Sequence, residues 1–522
     1  MRLLHSFVFI AAIVAGPISA FNLDSLLVAS VGGIDAYDCL KHLTSLRAEG
    51  AVNLNGQQGT FIEYFVPPDR FYLEVFFEAF SVAQVYDGEL AWQRDHNGQV
   101  SKLEGLERRE LVKDVYFESF AYLFPDRLPS DVEYRGIIDR EGKLYHAVAF
   151  YPLDVDTVLV YYDAETGLRK LMTSRLDNIN TITQFDDYRK VAGTLVPFYS
   201  KATCEGINLF SEFELDSVIL NESIDSSIFS MPTEKAADYH FPEAVPSMEI
   251  PIQYHAGHIQ VPATINGKKK VRFILDSGSS ANLLHKALAE ELNLSVVGKL
   301  PARGLSGFDE VDLVRTDSIA IGQLTLYNQV AGSLDLSPLE RTRTEDADFG
   351  GLLGYDFLSR FPVMIDYHES TLTVFNPERF EPPAGGVEMG FHLTMLVPTV
   401  HGELDGIPGD FIVDLGNAFG LIVHSSFARL HDLESTLDDV RENPGAFSGI
   451  GGGIGGKTAY AATFRIGDVL LQSLRVILPD SSSGLAGSKQ IAGNIGNLIL
   501  ENFSVLFDYK NYRLFLYKTD NK

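Results

Sequence analysis

The chain has 522 residues, 45% of them hydrophobic and 21% charged, enough for several cores and for about three domains of ordinary size. It carries 42 Lys and Arg against 70 Asp and Glu, a formal charge of −28. That balance argues against nucleic acid or an anionic membrane surface as the main partner, since both need clustered positive charge, and the two cysteines, Cys39 and Cys204, exclude a disulfide-built scaffold or a cysteine-based zinc fold.

Residues 1–20 read as an export signal. Arg2 supplies a short positive region, Phe7 to Ala15 an apolar run, and Gly16-Pro17 a helix break before Ser19-Ala20. No later stretch approaches the eighteen or so apolar residues of a membrane-spanning helix, so the expectation is an exported, soluble protein, periplasmic or secreted, with no membrane span. Export would also allow Cys39 and Cys204 to pair.

Residues 21–240 hold no catalytic constellation. Ile34 to Leu46 shows helical spacing after Gly32-Gly33, and aromatic-rich strand candidates recur at 61–67, 71–77 and 158–162. Turns punctuate them at Asp87-Gly88, Glu141-Gly142 and Glu165-Thr166-Gly167. This pattern predicts a helix against a large antiparallel sheet. The segments 85–92 (VYDGELAW), 161–171 (YYDAETGLRKL) and 186–198 (DDYRKVAGTLVPF) resemble exported half-barrel domains of the lipoprotein-carrier type. The resemblance implies a cavity for a lipid or lipoprotein ligand; an ordinarily packed domain that positions substrate is the alternative.

An internal repeat organises the rest of the chain. Gly351 to Phe375 aligns without gaps on Gly493 to Tyr517, with eight of 25 positions identical, among them Gly354/Gly496, Phe361/Phe503 and Asp366/Asp508. Upstream, FILDSGSSANLL (273–284) matches FIVDLGNAFGLI (411–422). Two matched blocks in one order point to duplication and to two homologous lobes, 249–378 and 388–520. Each opens on strand-like residues around a tight turn, Asn266-Gly267 or Asp405-Gly406, and each has an apolar strand that ends at Asp-x-Gly.

One acid at a strand end beside a glycine turn, presented twice, is what a carboxylate pair needs. Pseudo-twofold packing would bring Asp276 and Asp414 face to face, where two carboxyls cannot both ionise easily and come to share a proton. Asp276-Ser277-Gly278-Ser279-Ser280, with Gly351-Leu352-Leu353-Gly354 downstream, resembles the retropepsin/pepsin-type aspartic proteases in their two-lobed, single-chain form. The resemblance implies a mostly β fold: an N-terminal half-barrel with a helix, then a two-lobed all-β acid protease unit. It implies that Asp276 and Asp414 are catalytic and hydrolyse a polypeptide without metal or other cofactor. Ser277, Gly278, Ser279, Gly416, Asn417, Gly354 and Gly496 would then support the active-site turns. With both acids in one chain, a monomer could be active.

Two positions depart from the family pattern. Leu415 replaces the Ser or Thr that would tie the second turn to the first, and Asn494 replaces an apolar residue. Asn417 is placed to offer its side chain to Asp414. These departures keep open a catalytically degenerate, peptide-binding module, or a lipid or lipoprotein carrier whose lobes only dock partners.

Flap hairpins are expected around Gly304, Ser306 and Gly307 and around Gly451 and Gly453. The segment 448–457 formally matches a dinucleotide fingerprint but follows Asn443-Pro444-Gly445 rather than a strand, so a mobile glycine-rich loop near the cleft is the expectation. His255 and His258, read as one strand, would point to opposite faces and bind no metal.

Overall fold

The computed structural model describes residues 21–233, 238–305, 307–342, 347–449, 452–481 and 483–518. The expected export signal, 1–20, lies outside the described residues. The fold is mostly β, and among the described residues the strands form four sheets.

Two short helices open the described chain: Leu23–Ser30, capped by Asn22 accepting the Ser25 N–H, and Ile34–Lys41. The helix expected over 34–46 therefore stops five residues early. Asn221 Oδ1 accepts both the N–H and the hydroxyl of Thr44, Ser45 Oγ donates to the Glu222 carbonyl, and Leu46 starts a strand. These partners, remote in sequence, outweigh the weak helical preference of Thr and Ser.

The first sheet has thirteen antiparallel strands, sequential along each half, joined where Leu46–Leu54 pairs with Phe210–Leu220. The helix Gly105–Glu118 connects its two ends. Leu111, Val112 and Val115 of that helix cluster with Phe71, Tyr86 and Ala91, while Tyr116 and Phe117 cluster with Val148, Phe150 and Val160. A helix that packs on strands from both halves requires the sheet to curl around it. A cavity of about 320 Å³ remains between them, lined by Phe61, Phe71, Phe117, Phe185, Phe198 and Phe213, with Glu63, Glu118 and Arg169 also at its wall. Burial, reinforced by the charges of Glu118 and Asp114, pushes the Glu63 carboxyl well above its ordinary range. Cys39, on the second helix, and Cys204, at a strand end, are free thiols rather than a pair.

The repeated half folds by one plan used twice. In the first lobe His258–Ile265 turns at Asn266-Gly267 into Lys269–Leu275, which runs parallel to Asp348–Leu353; Leu283–His285 lies antiparallel to that strand and parallel to Leu324–Leu334. In the second, Val397–Leu404 turns at Asp405-Gly406 into Ile407–Val413, parallel to Gly493–Ile495; Leu421–Val423 is antiparallel to that strand and parallel to Val469–Pro479. Gly351 is required by this crossing: its φ is +137°, and a Cβ there would run into the Leu283 carbonyl. A six-stranded sheet built from both lobes lies beneath, with Val363–Asp366 antiparallel to Phe503–Asp508 at its centre. One apolar core runs through both lobes and this sheet, which makes them a single packed body.

Candidate active site

Two apolar strands deliver the acids. Phe273, Ile274 and Leu275 are buried, as are Phe411, Ile412 and Val413, and each chain leaves its sheet at the following Asp. Asp276 N–H donates to Leu353 O at 2.9 Å and Asp414 N–H to Ile495 O at 2.9 Å, so the parallel neighbour fixes both carboxyls at equivalent points. The Gly278 N–H donates to Asp276 Oδ1 at 2.9 Å, and the Gly416 N–H to Asp414 Oδ1 at 2.9 Å.

The two turns face each other. A Cβ added to Gly278 would clash with the Asp414 carboxylate, and one added to Gly416 would clash with that of Asp276. Each glycine thus lies against the opposite lobe's acid, which brings the two carboxyls close enough for the charge of Asp414 to bear on Asp276. Ser277, almost fully buried, bridges the lobes: its hydroxyl donates to Val413 O at 2.6 Å and accepts the Leu415 N–H at 2.9 Å. Leu415 is buried in the apolar core and returns no side-chain bond.

Burial, and next the charge of Asp414, raises the Asp276 carboxyl well above the ordinary range. Burial also raises Asp414, opposed there by the Asn494 amide and the Gly416 and Asn417 N–H groups. The phenol of Tyr509, buried close by, is raised well above its usual value by burial, then by Tyr355 and the two acids.

The remaining predicted residues lie in or beside the two turns. Ser279 Oγ donates to Ala281 O at 2.7 Å, and the Ser279 carbonyl accepts the Tyr355 N–H. Gly354 donates its N–H to Asn282 Oδ1 and leaves no room for a Cβ beside Ala281 O and Ser279 O. Gly496 donates to Gly420 O and is equally confined by Phe419 O and the Asn417 amide. Asn417 behaves differently from expectation. Its backbone N–H reaches Asp414 Oδ1 at 3.1 Å, but its side-chain amide turns to the Asn494 and Gly420 carbonyls, because its own Oδ1 is held by the Phe419 N–H.

Asn494 takes the place predicted for the Asn417 side chain: its Nδ2 donates to Asp414 Oδ2 at 2.8 Å, and its Oδ1 meets His424 Nε2 at 2.7 Å. A break in the apolar pattern of the repeat was its sequence signal. His424 had one as well: it stands at the end of its strand just before the helix Ser425–Leu430, as His285 does before Lys286–Glu291 in the first lobe, one residue out of step with the ungapped alignment. Asn497 was also missed; its amide donates to Leu415 O and Gly257 O, joining the two lobes where Leu415 lacks a hydroxyl.

The first flap candidate is the turn between the strands Val296–Arg303 and Phe308–Ile321, with the Gly304 N–H donating to Gly307 O at 2.8 Å; Ser306 lies outside the described residues. The Gly304 and Leu305 carbonyls accept the N–H groups of Leu485 and Ala486, and Leu305 packs on Ile422 and Ile477 of the second lobe. The second candidate corrects the expectation of a loop. Asp438–Gly449 and Gly452–Ile466 form a hairpin in which Gly453 pairs with Ser448, and Val469–Pro479 supplies a third strand from Gly456 onward, so ladder partners hold the glycines extended. Gly451 lies outside the described residues. His255 and His258 are likewise not in one strand: a turn at Ala256-Gly257, both at positive φ, makes them cross-strand partners.

Residues 261–357 match the family model of aspartyl proteases. No curated protein matches the chain. Among solved structures, an aspartic proteinase from Irpex lacteus is similar at 14% identity, covering 52% of this chain and 98% of its own, with a TM-score of 0.35. A LolA superfamily protein from Nitrosomonas europaea is similar at 10% identity over 40% of this chain and 96% of its own, with a TM-score of 0.28. A DUF1329 family protein from Desulfovibrio piger shows 14% identity over 40% of this chain and 95% of its own, with a TM-score of 0.29. Among the described residues no helix is long and apolar enough to cross a membrane.

Proposed function

We propose that the chain is an exported aspartic endopeptidase, active as a monomer, in which Asp276 and Asp414 form the catalytic dyad. The observation that carries this reading is the reciprocal approach of each turn glycine to the opposite lobe's carboxylate, which brings the two acids together. The aspartyl-protease match over 261–357, which contains Asp276, supports it. A water between the two carboxyls loses a proton to the ionised acid as it attacks the peptide carbonyl. The protonated acid supports the developing oxyanion and then passes its proton to the leaving nitrogen. The dyad still holds one proton, now on the acid that took it from water; its transfer back across the pair restores the starting state, and no covalent intermediate forms.

The substrate is an extended polypeptide lying between the lobes, under the 296–321 hairpin. Leu415 favours a second reading, a peptide-binding module without turnover, since only one of the two hydroxyl bridges is present. The cavity of the N-terminal half-barrel adds a ligand to either reading: its aromatic lining suits an acyl chain of a lipid or lipoprotein.

The test is to incubate the chain without residues 1–20 with a diverse peptide pool from pH 3 to 8, beside Asp276→Asn and Asp414→Asn. Cleavage by the parent alone is expected, with both variants folded and at least a thousandfold slower, as for loss of a residue that acts in the transition state. Binding of an inhibitor with a statine-like hydroxyl but no cleavage at any pH would move the assignment to the binding module.

A further inference from the structure

Asn494 occupies the position that Leu352 holds in the first lobe. Leu352 is buried among apolar side chains, and Asn494 is 5% exposed in the equivalent place. Burying an amide is costly unless both of its ends are bonded, and here both are: Nδ2 donates to Asp414 Oδ2 at 2.8 Å, and Oδ1 meets His424 Nε2 at 2.7 Å. The amide nitrogen faces Asp414, an arrangement that suits an ionised carboxylate because that group only accepts. The amide oxygen also only accepts, so His424 must carry a proton on Nε2. The two constraints select one orientation of the amide, and the imidazole that holds it is fully buried.

Asp276 has no counterpart to this arrangement. Among the described residues the hydrogen bond to its carboxyl comes from the Gly278 N–H, while the Ser279 N–H donates to the Asp276 backbone carbonyl. Asp414 takes two backbone N–H groups and the Asn494 amide besides. Hydrogen bonds to a carboxylate favour its charged form, so a dyad that is nearly symmetric in backbone is asymmetric in donors.

We infer that Asn494, held by His424, is a positioning residue that makes Asp414 the ionised, proton-accepting member of the dyad and Asp276 the proton donor, an assignment that rests on the protease reading above. The electrostatics agree in direction. Both carboxyls are raised by burial, and the Asn494 amide is the largest influence opposing the rise at Asp414. Burial lowers the His424 imidazole to about 4, with Arg303 lowering it further and the Asn494 bond, the Ile491 backbone and Asp177 opposing, so above that pH the ring is neutral; the Nε2 contact with the Asn494 oxygen then calls for its single proton on that nitrogen. Tyr509, the remaining titratable group facing the dyad, stays protonated throughout the working range.

The test is the pH dependence of kcat/KM on one peptide from the pool, for the parent chain, Asn494→Leu, His424→Leu and His424→Gln. The acid limb reports the first ionisation of the dyad in the free enzyme. Removing the amide should move that limb up by about one to two pH units, with about a tenfold loss of rate just below it. His424→Leu should move it in the same direction by less, and His424→Gln, which can still donate to Asn494, should restore it. A merely structural role would lower rates at all pH without moving the limb. An unmoved acid limb in folded Asn494→Leu would overturn the assignment. If the parent cleaves nothing, the protease reading fails, and carboxyl carbon NMR of the full chain still decides this one. Asp414, identified by its loss in Asp414→Asn, should then follow the lower of the two apparent titrations of the pair, with the gap between them narrowed in Asn494→Leu. Asp276 following the lower titration would overturn it.

Discussion

At the scale of single residues, the site is an unequal pair built on equal backbones. Ser277 alone supplies the hydroxyl that ties the two turns, both donating to Val413 O and accepting from Leu415 N–H. Ser277→Ala leaves that N–H and that carbonyl buried without their partner. The expected cost is about 1–3 kcal/mol of stability, seen as a lower denaturant midpoint at unchanged slope. Ser279→Ala, which loses a single bond to the nearby Ala281 carbonyl, should cost less. Equal effects of the two would count against a special linking role for Ser277. Asn497 shows how the second lobe manages without a hydroxyl at 415: its amide bonds both lobes, and Tyr367 OH donates to its oxygen at 2.7 Å.

At the scale of elements, the 296–321 hairpin is held down rather than free. Its turn carbonyls accept the Leu485 and Ala486 N–H groups, and the Arg303 guanidinium at its base reaches Gly484 O at 2.9 Å. Gly484 sits at φ +60°, and a Cβ there would stand 2.5 Å from Gly304 O and Gly307 N. Gly484→Ala therefore combines backbone strain with a steric push on the turn, a penalty of about 1–3 kcal/mol that falls on the contact between hairpin and second lobe. Hydrogen exchange at Leu485 and Ala486 should speed up by about tenfold or more. The Val397–Val413 hairpin should exchange as before, and protection unchanged at Leu485 and Ala486 would show that this contact does not hold the 296–321 hairpin down. Three elements differ from what local pattern predicts, and each yields to a partner remote in sequence or to a turn: the helix cut at Lys41 by Asn221 and Glu222, the glycine segment paired with Val469–Pro479, and the histidines separated at Ala256-Gly257.

At the scale of the whole molecule, the N-terminal half-barrel is joined to the hairpin and to both lobes. Arg303 pairs with Asp177 at 2.7 Å with both side chains largely buried, Asn97 bonds Asp356 and the Val330 backbone, and the Lys489 N–H donates to Asp177 Oδ1. On the helix Gly105–Glu118, Arg109 bonds Gln490, and the Glu107 carboxyl accepts the Met395 N–H. Burial pushes Glu107 from its ordinary value of 4.5 up to about 7. A carboxyl raised on folding stays protonated where the unfolded chain has lost its proton. Its contribution to stability is therefore lost as pH rises from about 4.5 through about 7. Urea unfolding across that window should show the full chain weakening with pH at this contact, and Glu107→Gln should flatten the trend. A slope unchanged in Glu107→Gln would assign the pH dependence to other groups.

The sequence by itself determined the pieces that depend on short-range pattern. Periodicity and turn residues marked the strands, the repeat marked two equivalent lobes, and an apolar strand ending at Asp-x-Gly marked Asp276 and Asp414 as the acids to watch. These signals are local because each arises from a few neighbouring residues meeting one backbone geometry. Only the tertiary structure decided which donors each acid meets. Asn494 reaches Asp414, and His424 reaches Asn494, from strand ends far apart in the chain, Asn417 turns its amide away because the Phe419 N–H claims its oxygen, and Arg303 finds Asp177 in a turn of the first sheet. Such partners are chosen by packing, where burial leaves each polar group to be satisfied by whatever side chain the fold brings within about 3 Å, and no local pattern carries that information.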